Sequence, residues 1–199
     1  MMHMRDDELT RFVRDNIEPL EDSIYGNRYR AAARLSDGTY LPCVVFQSKQ
    51  AQTKLALRRF KELRWKRSQY EAVVESFVAS GSSVAGYHIK GVELSPFAWP
   101  AELLRTIHGE TSMGWTAFVA EMKDGSMFSY GTQFCVEFFD LPAGYTYADV
   151  QQIHSGMVYS KTRGLEAFSA DAYKETVDKY AHSPCLRERP FFTCYIDAL

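Results

Sequence analysis

The sequence predicts an α+β protein: a mainly antiparallel sheet from two Asp-Gly hairpins plus extra strands, with one long basic helix packed on a face and several short helices. Three observations predict it. Asp37-Gly38 and Asp124-Gly125 each stand between apolar, strand-like arms, and a tight hairpin turn needs φ > 0, which glycine adopts at little cost. Residues 51–78 contain no Gly and no Pro and carry apolar side chains at helical spacing. Strands and helices do not alternate as βαβ units, which argues against a parallel sheet.

Composition sets the bounds. The chain has 199 residues, 46% hydrophobic and 14% aromatic. That suffices for the core of a single domain over residues 1–199, with residues 1–23 as a helical segment at its periphery. The formal charge of −2 gives no global signature of polyanion binding. No apolar run approaches the roughly 18 residues of a membrane helix, and the stretch from Met1 to Asp7 is polar. The expectation is therefore a cytoplasmic protein with reduced thiols and no membrane contact. Cys43, Cys135, Cys185 and Cys194 form no CxxC pair. Cys43 and Cys135 lie in apolar runs, where a free thiol acts as a small hydrophobe.

In chain order, residues 6–18 predict an amphipathic helix with Leu9, Phe12, Val13 and Ile17 on one face. Asp6 or Asp7 caps it and Pro19 ends it. A hairpin over 28–47 follows, with arms Tyr29 to Leu35 and Tyr40 to Phe46 joined by a type I′ turn. Pro42 has no N–H to donate, so its strand is an edge or carries a bulge there. The long helix runs from Ala51 to about Ser80, with Ala56, Phe60, Leu63, Tyr70, Val74 and Phe77 toward the core and Gly81 as its stop. Tyr87 to Leu94 reads as a strand interrupted at Gly91. Pro100 opens a helix from Ala101 to His108. Trp115 to Met122 and Met127 to Phe139 form the second hairpin, with Gly131 a candidate bulge. Thr146 and Asp149 make a capping box that opens a short helix carrying Val150 and Ile153. Ser169 caps a helix over 170–181, and Phe191 to Ile196 returns as a last strand. The two turns, Leu35 to Tyr40 and Met122 to Met127, match 87 residues apart. Duplication would explain the match, but shared turn chemistry is the simpler account.

Chemistry concentrates in the basic helix. Lys49, Lys54, Arg58, Arg59, Lys61, Arg64, Lys66 and Arg67 are offset only by Glu62, which leaves +7. Few carboxylates sit at i±4 to cancel that field. Trp65 falls about half a turn from the apolar stripe, among the cations. One reading is a solvated face whose stems cover apolar surface. The functional reading is an anion-binding face made of Lys54, Arg58, Arg59, Lys61, Arg64, Trp65, Lys66 and Arg67. Residues 101–150 carry −5, so the opposite charge needed for self-association is present in the same chain.

Other constellations are weaker. His182, Cys185 and Cys194 lack a fourth zinc ligand, so no metal is expected. A Cys135 or Cys43 nucleophile served by His88, His108 or His154 has no motif around it. Gly109 to Gly114 matches GxxxxG but lacks the Lys-Ser/Thr of a phosphate loop and precedes a strand. His108 and Glu110 beside it are the candidate acid and base of a small enzyme. The sequence thus favours a non-enzymatic interaction protein, without cofactor, whose basic helix contacts an acidic protein surface or a second copy. Nucleic-acid binding through the same helix is the alternative.

Overall fold

The computed structural model describes residues 5–22, 26–62, 83–111, 116–132, 138–169, 171, 186–187 and 189–199. Among them the protein is β-rich: eleven strands stand against three helices, two of them longer than seven residues. This corrects the expected α+β class with a long basic helix. Segments read as loops or helices are recruited as strands, because a segment beside an open sheet edge satisfies its N–H and C=O groups by pairing.

Two compact units form, residues 97–190 and residues 1–96 with 191–199. In the first unit of the chain, α1 (Asp6–Asn16) precedes β1 (Pro19–Asp22), β2 (Gly26–Leu35) and β3 (Tyr40–Ser48). Next come α2 (Lys49–Glu62) and β4 (Ile89–Leu94), and β11 (Phe192–Ile196) completes the unit. Its sheet runs β1-β2-β3-β11, with β4 also on β2. Strands β2 and β3 are antiparallel, whereas β11 joins β3 in parallel. Pro42 lies where the β2–β3 register shifts, so the missing N–H is absorbed by a bulge. The core sets Leu9, Val13 and Ile17 from the α1 side against Tyr29, Ala31, Ala33, Val44, Phe46, Ile89, Cys194 and Ile196. Alanines at 31 and 33 leave room for those helix side chains.

In the second unit, α3 (Ala101–Leu104) precedes β5 (Thr116–Met122), β6 (Met127–Thr132) and β7 (Val150–Ser155). A small hairpin of β8 (Met157–Ser160) and β9 (Gly164–Ala167) follows, then β10 (Leu186–Arg187). The sheet order is β10-β6-β5-β7. Trp99 is fully buried, with its ring centroid 5.0 Å from Tyr130 and 5.5 Å from Phe139. Phe118 stacks on Tyr130 at 5.1 Å. Such edge and offset contacts add to the apolar area these rings bury.

Four local expectations change. The capping box forms, with the Asp149 carboxylate accepting from the Thr146 N–H at 2.7 Å. Only one 3-10 turn, Tyr147–Asp149, follows before β7 pairs with β5, so Val150 and Ile153 belong to a strand. The helix after Pro100 stops at Leu104. Gly131 sits in regular register opposite Ala117 and is no bulge. Neither Asp-Gly turn is a two-residue loop. The Gly38 N–H donates to Leu35 O and the Leu35 N–H to Thr39 O, with Gly38 at φ 92°. That is a three-residue loop closed by a left-handed glycine. The expected helix over 170–181 lies outside the described residues apart from Asp171.

Candidate interaction face

The basic helix begins two residues before its expected start. The Ser48 hydroxyl accepts from the Ala51 N–H at 3.2 Å, which satisfies one of the free donors of the first turn. The helix is described as far as Glu62. Lys54, Arg58, Arg59 and Lys61 fall within α2, while Arg64, Trp65, Lys66 and Arg67 lie outside the described residues.

Helical geometry sorts what is seen. Leu55 is buried, with Ala51, Gln52 and Ala56 half-buried around it. The expected stripe had omitted Leu55; Phe60 and Leu63, which it relied on, contribute no described side chain. On the opposite side Lys54, Leu57, Arg58 and Lys61 are spaced i, i+3, i+4 and i+7 and share one exposed face. Leu57 is 53% exposed in the middle of it. Ala51, Lys54, Leu55 and Arg58 line a shallow hollow of about 230 Å³ beside that face. Among the described residues, neither Lys54 nor Lys61 meets a carboxylate. Lys49, on another side, pairs with Asp197 at 3.4 Å, an exposed pair that solvent and salt weaken.

The remaining candidates take structural places. His108 Nδ1 lies 2.7 Å from Thr106 O. A carbonyl only accepts, so Nδ1 carries the proton. The His108 backbone is tied to Ser155, whose Oγ accepts from the His108 N–H at 2.9 Å. Glu110 is exposed. The imidazole–carboxylate contact that sequence reading missed is His154 Nε2 to Glu121 Oε2, 2.7 Å across β7 and β5. The two residues are far apart in sequence, and only the strand pairing brings them together. Cys43 and Cys194 are buried in the first unit. Burial pushes the Cys194 thiol up to about 12, with the Asp6 charge adding to it, which leaves it un-ionised and a poor nucleophile. His182, Cys135 and Cys185 lie outside the described residues, and among those described no three His, Cys, Asp or Glu side chains converge as a metal site requires.

Comparison with models of protein families, with curated proteins and with solved structures finds no match. No helix among the described residues is long and apolar enough to cross a membrane.

Proposed function

We propose that this is a non-enzymatic interaction protein that docks the cationic face of α2 on an acidic protein surface. The observation that carries this reading is Leu57, more than half exposed between Lys54, Arg58 and Lys61. Exposing a leucine costs the transfer energy its burial would supply, about 1.5–3 kcal/mol. An apolar centre ringed by charge is the arrangement of an interface, where the apolar group anchors and the charges steer. A phosphate backbone offers no partner for that leucine, which favours protein over nucleic acid. The acidic half of the chain is partly spent internally: Asp140 pairs with Arg189 at 2.6 Å. A different protein therefore fits better than a second copy.

The test is titration calorimetry at low salt with an acidic amphipathic peptide of alternating Glu and Leu, beside duplex DNA and light scattering of the protein alone. The peptide binds, and Lys54→Glu with Lys61→Glu weakens it at least tenfold without altering the melting temperature. Leu57→Ala weakens the peptide several-fold at unchanged charge. No peptide binding contradicts the reading. Tighter DNA binding that ignores Leu57→Ala moves it to nucleic acid, and concentration-dependent mass that K54E/K61E abolishes moves it to self-association.

A further inference from the structure

The two units share more than a turn. In each, the first hairpin strand also takes a third strand, antiparallel, on its other edge: β4 on β2, and β7 on β5. In each, a fourth strand lies parallel on the second hairpin strand: β11 on β3, and β10 on β6. The orders β4-β2-β3-β11 and β7-β5-β6-β10 are the same arrangement.

The agreement extends to single residues. Hairpin positions correspond 87 apart, as Ala31 with Phe118 and Leu35 with Met122, and third-strand positions 61 apart, as Ile89 with Val150 and Leu94 with Ser155. Ala31 pairs with Leu94 where Phe118 pairs with Ser155, and Leu35 with Ile89 where Met122 pairs with Val150. Both ladders shift register at the same step, between Arg34 and Leu35 and between Glu121 and Met122. A 3-10 turn leads into each third strand, Gly86–His88 and Tyr147–Asp149. Each is tied to its hairpin loop by the same hydrogen bond, Ser36 N–H to His88 O at 2.9 Å and Lys123 N–H to Asp149 O at 2.8 Å. The loop carboxylates repeat as well: Asp37 accepts from the Thr39 N–H at 2.8 Å and Asp124 from the Ser126 N–H at 2.9 Å.

Even the cross-strand polar side-chain contacts are equivalent. Arg34 meets Glu93 at 3.6 Å, and at the corresponding positions the Glu121 carboxylate meets the His154 imidazole at 2.7 Å, with the carboxylate on the opposite strand of the pair. The parallel strands occupy the same rung: Phe192 sits by Val44, which faces Ala31, and Leu186 sits by Tyr130, which faces Phe118. Turn chemistry explains a shared loop. It does not dictate a shared bulge, lead-in turn, polar side-chain diagonal and parallel partner.

From this we infer that the chain holds two copies of one β-unit, the second lying in the sequence between the third and fourth strands of the first, and that α2 belongs to a stretch present in the first copy alone. Between the shared rung and the shared lead-in, the first copy has residues 45–84 and the second only residues 131–145. The basic helix, Lys49–Glu62, lies in the surplus. The interaction face is thus an insertion on a repeated scaffold, where added length is tolerated and function collects. The duplication stands whether or not α2 binds a partner.

Transplantation tests it. In the full chain, residues 85–94 are replaced by the ten residues of 146–155, either in register or displaced by one. The in-register chain melts cooperatively within several degrees of the original. The displaced chain turns each side chain to the wrong face and melts far lower or not at all. An in-register chain no better folded than the displaced one overturns the equivalence. A second variant spares the core: Arg34→Glu with Glu93→His writes the second copy's pair into the first. The imidazole at position 93, followed by NMR, then titrates at higher pH than in Arg34→Gln with Glu93→His. Identical titration in both variants also overturns the equivalence.

Discussion

Gly38 and Gly125, at φ 92° and 84°, are positions where an L side chain is strained whatever space surrounds it. Substituting either with alanine is expected to cost about 1–2 kcal/mol, and asparagine less. Chemical denaturation of the single variants measures this, and equal costs at both sites follow from the equivalent loops. Cys194 supplies a pH dependence. The fold holds its thiol protonated up to about 12, whereas an exposed thiol ionises near 8.5. The folded state therefore binds the extra proton, and its stabilising contribution is intact below that exposed value and declines as pH rises toward 12. Cys194→Ala, at some cost at neutral pH, is expected to flatten the fall in stability between pH 8.5 and 10.5. A variant that falls as steeply as the original removes Cys194 as the cause. The carboxylates of Asp37 and Asp124 are held below their ordinary range, chiefly by the N–H groups of Thr39 and Ser126. That contribution is present above roughly pH 4 and fades as acid protonates them.

At the scale of elements, what the sequence made legible depended on whether local chemistry acted alone. Both Asp-Gly hairpins, α1, β4 and the returning β11 follow from turn residues and apolar spacing. The box of Thr146 and Asp149 was also legible, but it fixes only one turn. Val150 and Ile153 are spaced for a helix, and their fate was decided by the open edge of β5, which no local pattern displays. The strands β8 and β9 escaped for the same reason: their pairing satisfies backbone groups without a strong alternation to announce it. The start of α2, expected at Ala51, lies at Lys49, because the Ser48 hydroxyl, which the sequence reading passed over, caps it. Ser48→Ala is expected to destabilise the first unit by about 1 kcal/mol, and a variant with unchanged midpoint shows the cap to be redundant. Within the candidate face, the clustered cations were plain in the sequence. The exposure of Leu57 was not, because it depends on which side of α2 meets the sheet.

For the molecule as a whole, the aromatic cluster around Trp99 brings together several of the largest fully buried side chains among the described residues. Trp99→Ala is expected to cost about 3–5 kcal/mol. Loss of the near-ultraviolet dichroism of that unit, with Lys54 and Lys61 still competent to bind, would keep folding and docking apart. The scaffold thus reads as one arrangement of strands used twice, with a cationic helix set into one copy. Its central claim is that binding happens on that helix. Hydrogen–deuterium exchange of the intact protein with the Glu-Leu peptide addresses it most directly. The account predicts slowed exchange confined to the amides between Lys54 and Lys61, with β2, β3, β5 and β6 unchanged. Protection that falls on the sheets instead, or no protection at saturating peptide, contradicts it.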